Sequence, residues 1–174
     1  RERGTSRGNL IADAFAETGE CDVMVVGSGS IRVKEMGPLV TLKDLLTCFP
    51  YDDSLTRYSI SGAKLKKIFT HFLRTENRTG EGECYQVNSA VKAIYNDKEH
   101  ELTSLEINEA PVFNTEFYTL CLQGYHVSNS AAYLNITQKE LLESGQPRVV
   151  STSAQQVLEE YLRNHQNIKK KVEG

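Results

Sequence analysis

The sequence predicts an α+β domain, a mixed sheet flanked by helices, and three observations lead there. Apolar or alternating runs with strand character recur along the chain, at residues 21–26, 55–61 and 117–122. Helical stripes fall between some strands and not others, so the order lacks the regular strand–helix–strand repeat of a doubly wound fold. The third is size. A chain of 174 residues with 39% hydrophobic and 25% charged side chains suffices for one domain with a sizeable core.

Each element has its own grounds. Ser6 suits a helix N-cap, and Leu10, Ile11, Ala14 and Phe15 recur at helical spacing as far as Gly19, where the first helix should end. Residues 21–26 read as the first strand, which runs into the turn Gly27-Ser28-Gly29-Ser30 with Arg32 at its far lip. Gly27 and Gly29 permit backbone angles that other residues resist, so backbone N–H groups there can face a ligand. Arg32 offers a planar fork of donors suited to phosphate or carboxylate. Taken alone, the stretch is equally an ordinary strand-to-loop turn with an exposed arginine.

Thr41 is a suitable cap for a short helix from Leu42 to Cys48, and Pro50 prevents its continuation. Residues 49–54 must then form a loop presenting Phe49, Tyr51, Asp52 and Asp53. Adjacent carboxylates in such a place are solvated or cap a backbone turn. Leu55 to Ser61 alternates as a strand, Gly62 marks a turn, and residues 63–74 form the clearest helix, with Leu65, Ile68, Phe69 and Phe72 on one face. Residues 75–83, rich in Gly, Thr, Asn and Glu, predict a loop. Strands follow at 84–88, 91–95 and 101–107, with Asn96-Asp97 turning between the last two. The apolar run at 117–122 predicts a central strand. After it come a polar loop at 124–130, a short helix at 137–144, a strand at 148–150 and a last helix at 153–164.

Composition narrows the function. A net charge of −3 argues against broad nucleic-acid binding, which needs a concentrated basic face. The one basic run, Lys169-Lys170-Lys171, reads as a solvated tail. No apolar run approaches the ~20 residues that cross a bilayer. A start at Arg1 without methionine, almost at once inside a helical pattern, predicts a fragment of a longer protein. Cys21, Cys48, Cys84 and Cys121 form no CxxC pair, which argues against a zinc site. Cys48 and Cys121 have the apolar surroundings of buried thiols, and which cysteines pair, if any, depends on a closeness that spacing does not reveal.

Five landmarks then occur in one order: Gly8-Asn9-Leu10-Ile11-Ala12-Asp13-Ala14, the glycine-serine turn ending in Ile31-Arg32, Val40-Thr41, Phe49-Pro50-Tyr51, and Ile60-Ser61-Gly62-Ala63-Lys64-Leu65. In that order and spacing, over nearly its whole length, the chain resembles the C-terminal domain of the 5'-nucleotidase and UDP-sugar hydrolase family.

The resemblance implies a division of labour. An N-terminal metallophosphoesterase domain, absent from residues 1–174, would hold two divalent metals such as zinc or manganese and perform the hydrolysis. The present domain would bind the nucleoside part of a nucleotide, hold no metal itself and be inactive alone, within a secreted, periplasmic or cell-surface enzyme of nucleotide catabolism. Arg32 and Arg1, the latter neighboured by Arg3, would orient the anionic substrate. Tyr51 and Tyr125 would sandwich the base, with Gly27, Gly29 and Asn129 in the same site. Two positions depart from the family pattern: Gly27 stands where an Asn is usual, and Ala131 where an Asp binds ribose hydroxyls. Neighbouring polar groups that could substitute are His126, Ser128, Asn129 and Ser130. The same departures motivate an alternative, a diverged binding or structural module that has lost nucleoside recognition.

Overall fold

The computed structural model describes residues 6–27, 43, 52–79 and 85–173. Helix α1 (Ser6–Gly19) precedes strand β1 (Val23–Gly27), and strand β2 (Leu55–Ser61) leads directly into helix α2 (Gly62–Phe72). After the one-turn helix α3 (Thr75–Thr79) come β3 (Tyr85–Val87), β4 (Val91–Asn96), β5 (Glu101–Ile107) and β6 (Ala110–Pro111). The long strand β7 (Phe117–Gln123) is followed by two short helices, α4 (Gly124–Ser128) and α5 (Ser130–Tyr133). Helix α6 (Gln138–Leu142), strand β8 (Arg148–Ser151) and helix α7 (Ala154–Glu173) complete the chain.

Five strands form one sheet in the order β3-β1-β7-β2-β8, and β4-β5-β6 form a second. Among the described residues only β1 and β7 run parallel, so the sheet is mixed and the α+β expectation holds. Alternate side chains of the large sheet enter two cores. On one face Met24, Val26 and Cys121 meet Ile11 and Phe15 of α1 and Val157 and Leu158 of α7. On the other, Val23, Val25, Ile60, Leu120 and Leu122 meet Leu65, Ile68, Phe69 and Phe72 of α2 and Val91, Leu105 and Ile107 of the small sheet. Burial on both faces explains why β7 reads as an apolar run instead of an alternation. Phe15 and Phe69, wholly buried on opposite faces, each contribute roughly 2–3 kcal/mol of transfer free energy.

The predicted strands and most helices are found, with instructive departures. Gly62 is the first residue of α2 and not a turn: Ser61 caps the helix by accepting the Lys64 N–H at 3.3 Å. Glycine is required because a Cβ there would lie 1.9 Å from the Phe113 carbonyl oxygen. At the end of α1 the left-handed residue is Glu20 (φ 49°), one position after Gly19. Bonds Glu20 N–H to Glu17 O and Cys21 N–H to Ala16 O close a Schellman turn there. Residues 75–79, expected as loop, form α3, and residues 124–130 fold as α4 and the start of α5. Helix α7 runs on to Glu173, beyond the expected end at Asn164 and through the lysine run. Of the predicted helix from Leu42 to Cys48, only Lys43 is described, and it is helical; the rest lies outside the described residues.

Candidate site at the sheet end where β1 and β7 finish

Strands β1 and β7 finish at the same end of the sheet, where β2 and β3 begin. Gly27 pairs with Tyr85 there, and Gln123 with Leu55. Ligands of open sheets with parallel strands gather at such carboxyl ends. Gln123 turns β7 directly into α4 but supplies no side-chain cap. The missing cap comes from Asp53. Its Oδ2 accepts the Tyr125 N–H at 2.9 Å, its Oδ1 accepts the Ser54 N–H at 2.8 Å, and the Ser54 carbonyl accepts the Gly124 N–H at 3.0 Å. A Cβ on Gly124 would stand 2.6 Å from Asp53 Oδ1, so glycine lets the carboxylate approach.

Asp52 does the same for α7. Its Oδ1 accepts the Ser153 hydroxyl at 2.8 Å and the Gln155 N–H at 3.4 Å, while the Asp53 carbonyl accepts the Ala154 N–H at 2.8 Å. The two carboxylates are therefore caps, one of the two roles the sequence allows them. They are not arranged as an acid–base pair.

Held in this way, Tyr125 is 53% exposed. Its ring stacks on Tyr133 (centroids 6.2 Å apart, planes 29° apart) and meets His126 edge-on at 5.3 Å. Asn129 closes α4: its side-chain amide donates to the Tyr125 carbonyl at 2.9 Å and its backbone N–H to the same oxygen at 3.2 Å. Under this surface His126 is only 1% exposed, with Nδ1 3.4 Å from the Tyr85 hydroxyl. Burial drives its pKa down to about 4, against an upward pull from Asp53, so the ring is neutral at pH 7. Its Nε2, together with Gln123 Oε1 and Ser130 Oγ, finds no hydrogen-bond partner among the described residues. Three such buried atoms within eight positions mark this end as the polar weak point of the core.

Of the residues named from sequence, Gly27, Tyr125 and Asn129 are at this end. Arg1, Gly29, Arg32 and Tyr51 lie outside the described residues, as does Arg3. Of the polar side chains near Ala131, His126 and Ser130 are buried beneath the surface. Ser128 and Ala131 are exposed. Sequence reasoning missed the stacking partner Tyr133 and the binding of Tyr125 by Asp53. A cap 72 positions away in the chain leaves no local signal. Among the described residues no group of three or more His, Cys, Asp or Glu is placed to hold a metal ion, and no helix is long and apolar enough to cross a membrane.

These features define an α+β domain with a mixed sheet flanked by helices. Residues 1–137 match the family model described as 5'-nucleotidase, C-terminal domain, and the chain belongs to that family. Comparison with curated protein sequences gives no match. Among solved structures, the NAD nucleotidase of Haemophilus influenzae superposes with a TM-score of 0.72 at 17% identity, covering 91% of this chain and 30% of that one. The 5'-nucleotidase precursor of Thermus thermophilus gives 0.72 at 16% identity over 91% of this chain and 32% of that chain. A sulfate thiohydrolase of Thermus thermophilus shares the fold with a TM-score of 0.60 at 18% identity, covering 90% and 28%. The chain thus spans about a third of the length of the structures it resembles.

Proposed function

We propose that this domain is the nucleoside-binding part of a metal-dependent 5'-nucleotidase-type phosphoester hydrolase, working with an N-terminal metallophosphoesterase domain of the same chain. The observation that carries the reading is Tyr125: an aromatic ring half in solvent, held by Asp53 and Tyr133 at the end of the parallel strands. Tyr51 is the second ring of the base sandwich, and the sequence joins it to the Asp53 contact through a single residue. Arg1 and Arg32 orient the anionic end of the nucleotide, Gly27 and Gly29 let the backbone approach it, and Asn129 fixes the helix beneath Tyr125. The hydrolytic metals belong to the partner domain, so the isolated domain binds without turnover. The setting is extracellular, periplasmic or at the cell surface, in nucleotide catabolism.

Calorimetric titration with adenosine and AMP tests this. Stacking is worth ~1–3 kcal/mol per base, so Tyr125→Ala should weaken binding about tenfold or more while leaving the melting temperature unchanged. Heat that is the same in Tyr125→Ala would remove the ring from the site, and no heat at millimolar ligand would count against the whole reading. The second reading, a module that has lost nucleoside recognition, is favoured by the exposed Ala131, which offers no acceptor for a ribose hydroxyl. Silence towards nucleosides together with an unperturbed fold is its expected signature.

A further inference from the structure

On the face of the sheet opposite α2, and away from the candidate site, two thiols meet. Cys21 directly follows the Schellman turn of α1, and Cys121 sits in the middle of β7, opposite Met24 of β1. Both sulfurs lie 3.6 Å from the point where a Cβ on Gly19 would stand, so the glycine leaves the gap into which the two side chains converge. Cys121 is wholly buried and Cys21 half-buried, with Cys21 Sγ 3.9 Å from the Ala16 carbonyl oxygen. Hydrogen bonding to the Cys21 thiol, and then burial, push the Cys121 thiol up, whereas the Arg57 guanidinium opposes that shift. Arg57 is fixed nearby by donating to the Gly19 carbonyl at 3.0 Å.

We propose that Cys21 and Cys121 are a disulfide-forming pair, a covalent link between the end of α1 and the central strand. The oxidant is a disulfide, either a small one such as glutathione disulfide or that of a dithiol oxidoreductase. The half-exposed Cys21 thiolate attacks it first, forming a mixed disulfide and releasing one thiol. The Cys121 sulfur, after giving up its proton, then displaces the second thiol and closes the Cys21–Cys121 bond. The oxidant gains two electrons and two protons, and the protein loses two hydrogens. This order follows from access, because an oxidant reaches Cys21 and not the buried Cys121. The link closes a loop of one hundred positions (121 − 21), a length at which cross-linking constrains the unfolded chain strongly.

The test uses the full chain, reduced and then incubated with glutathione disulfide, alkylated and digested without reduction. The expected product is a linked pair of peptides containing Cys21 and Cys121, with a melting temperature about 5–10 °C above the reduced form. Cys21→Ser, a change at the half-exposed partner, should fold normally and lose that rise. In Cys121→Ala the oxidation should stop at the mixed disulfide on Cys21, visible as one added glutathione. The proposal fails if both thiols remain alkylatable in the unfolded protein after oxidation. It fails equally if Cys21 is found joined to Cys48 or Cys84, or if Cys121→Ala takes up no glutathione at Cys21.

Discussion

At the β2–α2 junction Ser61 leads into Gly62, and at the β7–α4 junction Gln123 leads into Gly124; in both, a strand turns into a helix at a glycine without an intervening loop. Because β2 and β7 are antiparallel, the two junctions occupy opposite ends of the sheet. Ser61 caps its own helix, and α2 then buries a continuous stripe from Leu65 to Phe72. Gln123 caps nothing, α4 spans five residues, and its first N–H groups depend on Asp53 and Ser54. A helix this short has no stability of its own in water, so its position is set by whatever holds its end. The α2 end has a side-chain cap of its own, and its first N–H groups, those of Gly62 and Ala63, donate to the Glu116 and Asn114 carbonyls. The α4 end, which displays Tyr125, is coupled to the loop that brings Asp53.

The sharpest way to break this comparison is to make one substitution at both junctions. In Gly62→Ala the new Cβ meets the Phe113 carbonyl oxygen at 1.9 Å and its carbon at 2.7 Å, and neither backbone atom can swing aside. The Gly62 N–H bond to Glu116 O at 2.8 Å pins the strand–helix corner from the other side. Urea unfolding should show a loss of about 3 kcal/mol or more. In Gly124→Ala the nearest atoms are the Asp53 and Ser54 side chains, which can rotate, so a loss of about 1–2 kcal/mol is expected. Equal losses in the two variants would contradict a rigid backbone neighbour at the α2 end and yielding side-chain neighbours at the α4 end.

Acid should separate the two ends next. The folded-state pKa of His126 is about 4, below the ordinary value of 6.5, so the unfolded chain binds its proton more readily. The resulting stability is fully present above pH 6.5 and is lost as pH falls from there through about 4, on the order of 3 kcal/mol in all. The groups facing the ring are Tyr85, Tyr125 and Asp53, and only the carboxylate offsets the effect of burial. Because other carboxylates titrate too, the readout is the difference between wild type and His126→Phe. The variant's stability should fall less between pH 7 and pH 4. A third, smaller effect is expected for Asp53→Ala, about 2 kcal/mol from two lost charge-assisted bonds, with weaker nucleoside binding in the same titration.

The legibility of the sequence follows the same division. Strand β2 is visible by alternation and α2 by its stripe and serine, since both signals lie within a dozen consecutive residues. Gly62 is misread as a turn because the reason for it, the Phe113 carbonyl, lies 51 positions away (113 − 62). Helices α4 and α5 are read as loop because Gly124, Ser128, Asn129 and Ser130 are turn formers and neither helix is long enough to show periodicity. His126 and Ser130 fall in a stretch that reads from sequence as a polar loop, and only the packing buries them. Tyr125 and Asn129 are named by the family resemblance and not by local chemistry. The support of Tyr125 by Asp53 is tertiary, 72 positions away in the chain, whereas Tyr133 lies only eight positions on (133 − 125) and is brought to the ring by the turns of α4 and α5.

The smallest effect completes the comparison. Ser61→Ala removes one side-chain acceptor from the Lys64 N–H and should cost about 1 kcal/mol, the ordinary value of an N-cap. Nothing else in α2 needs to move, because its buried stripe and the Gly62 N–H bond to Glu116 O remain. Nucleoside affinity should be unchanged, since the α2 end faces away from Tyr125 across the length of the sheet. Asp53→Ala is a cap removal of the same kind at the other end, and there stability and affinity should fall together. If Ser61→Ala lowered affinity as well, the two ends would be coupled through the sheet, and α4 would owe its placement to more than Asp53.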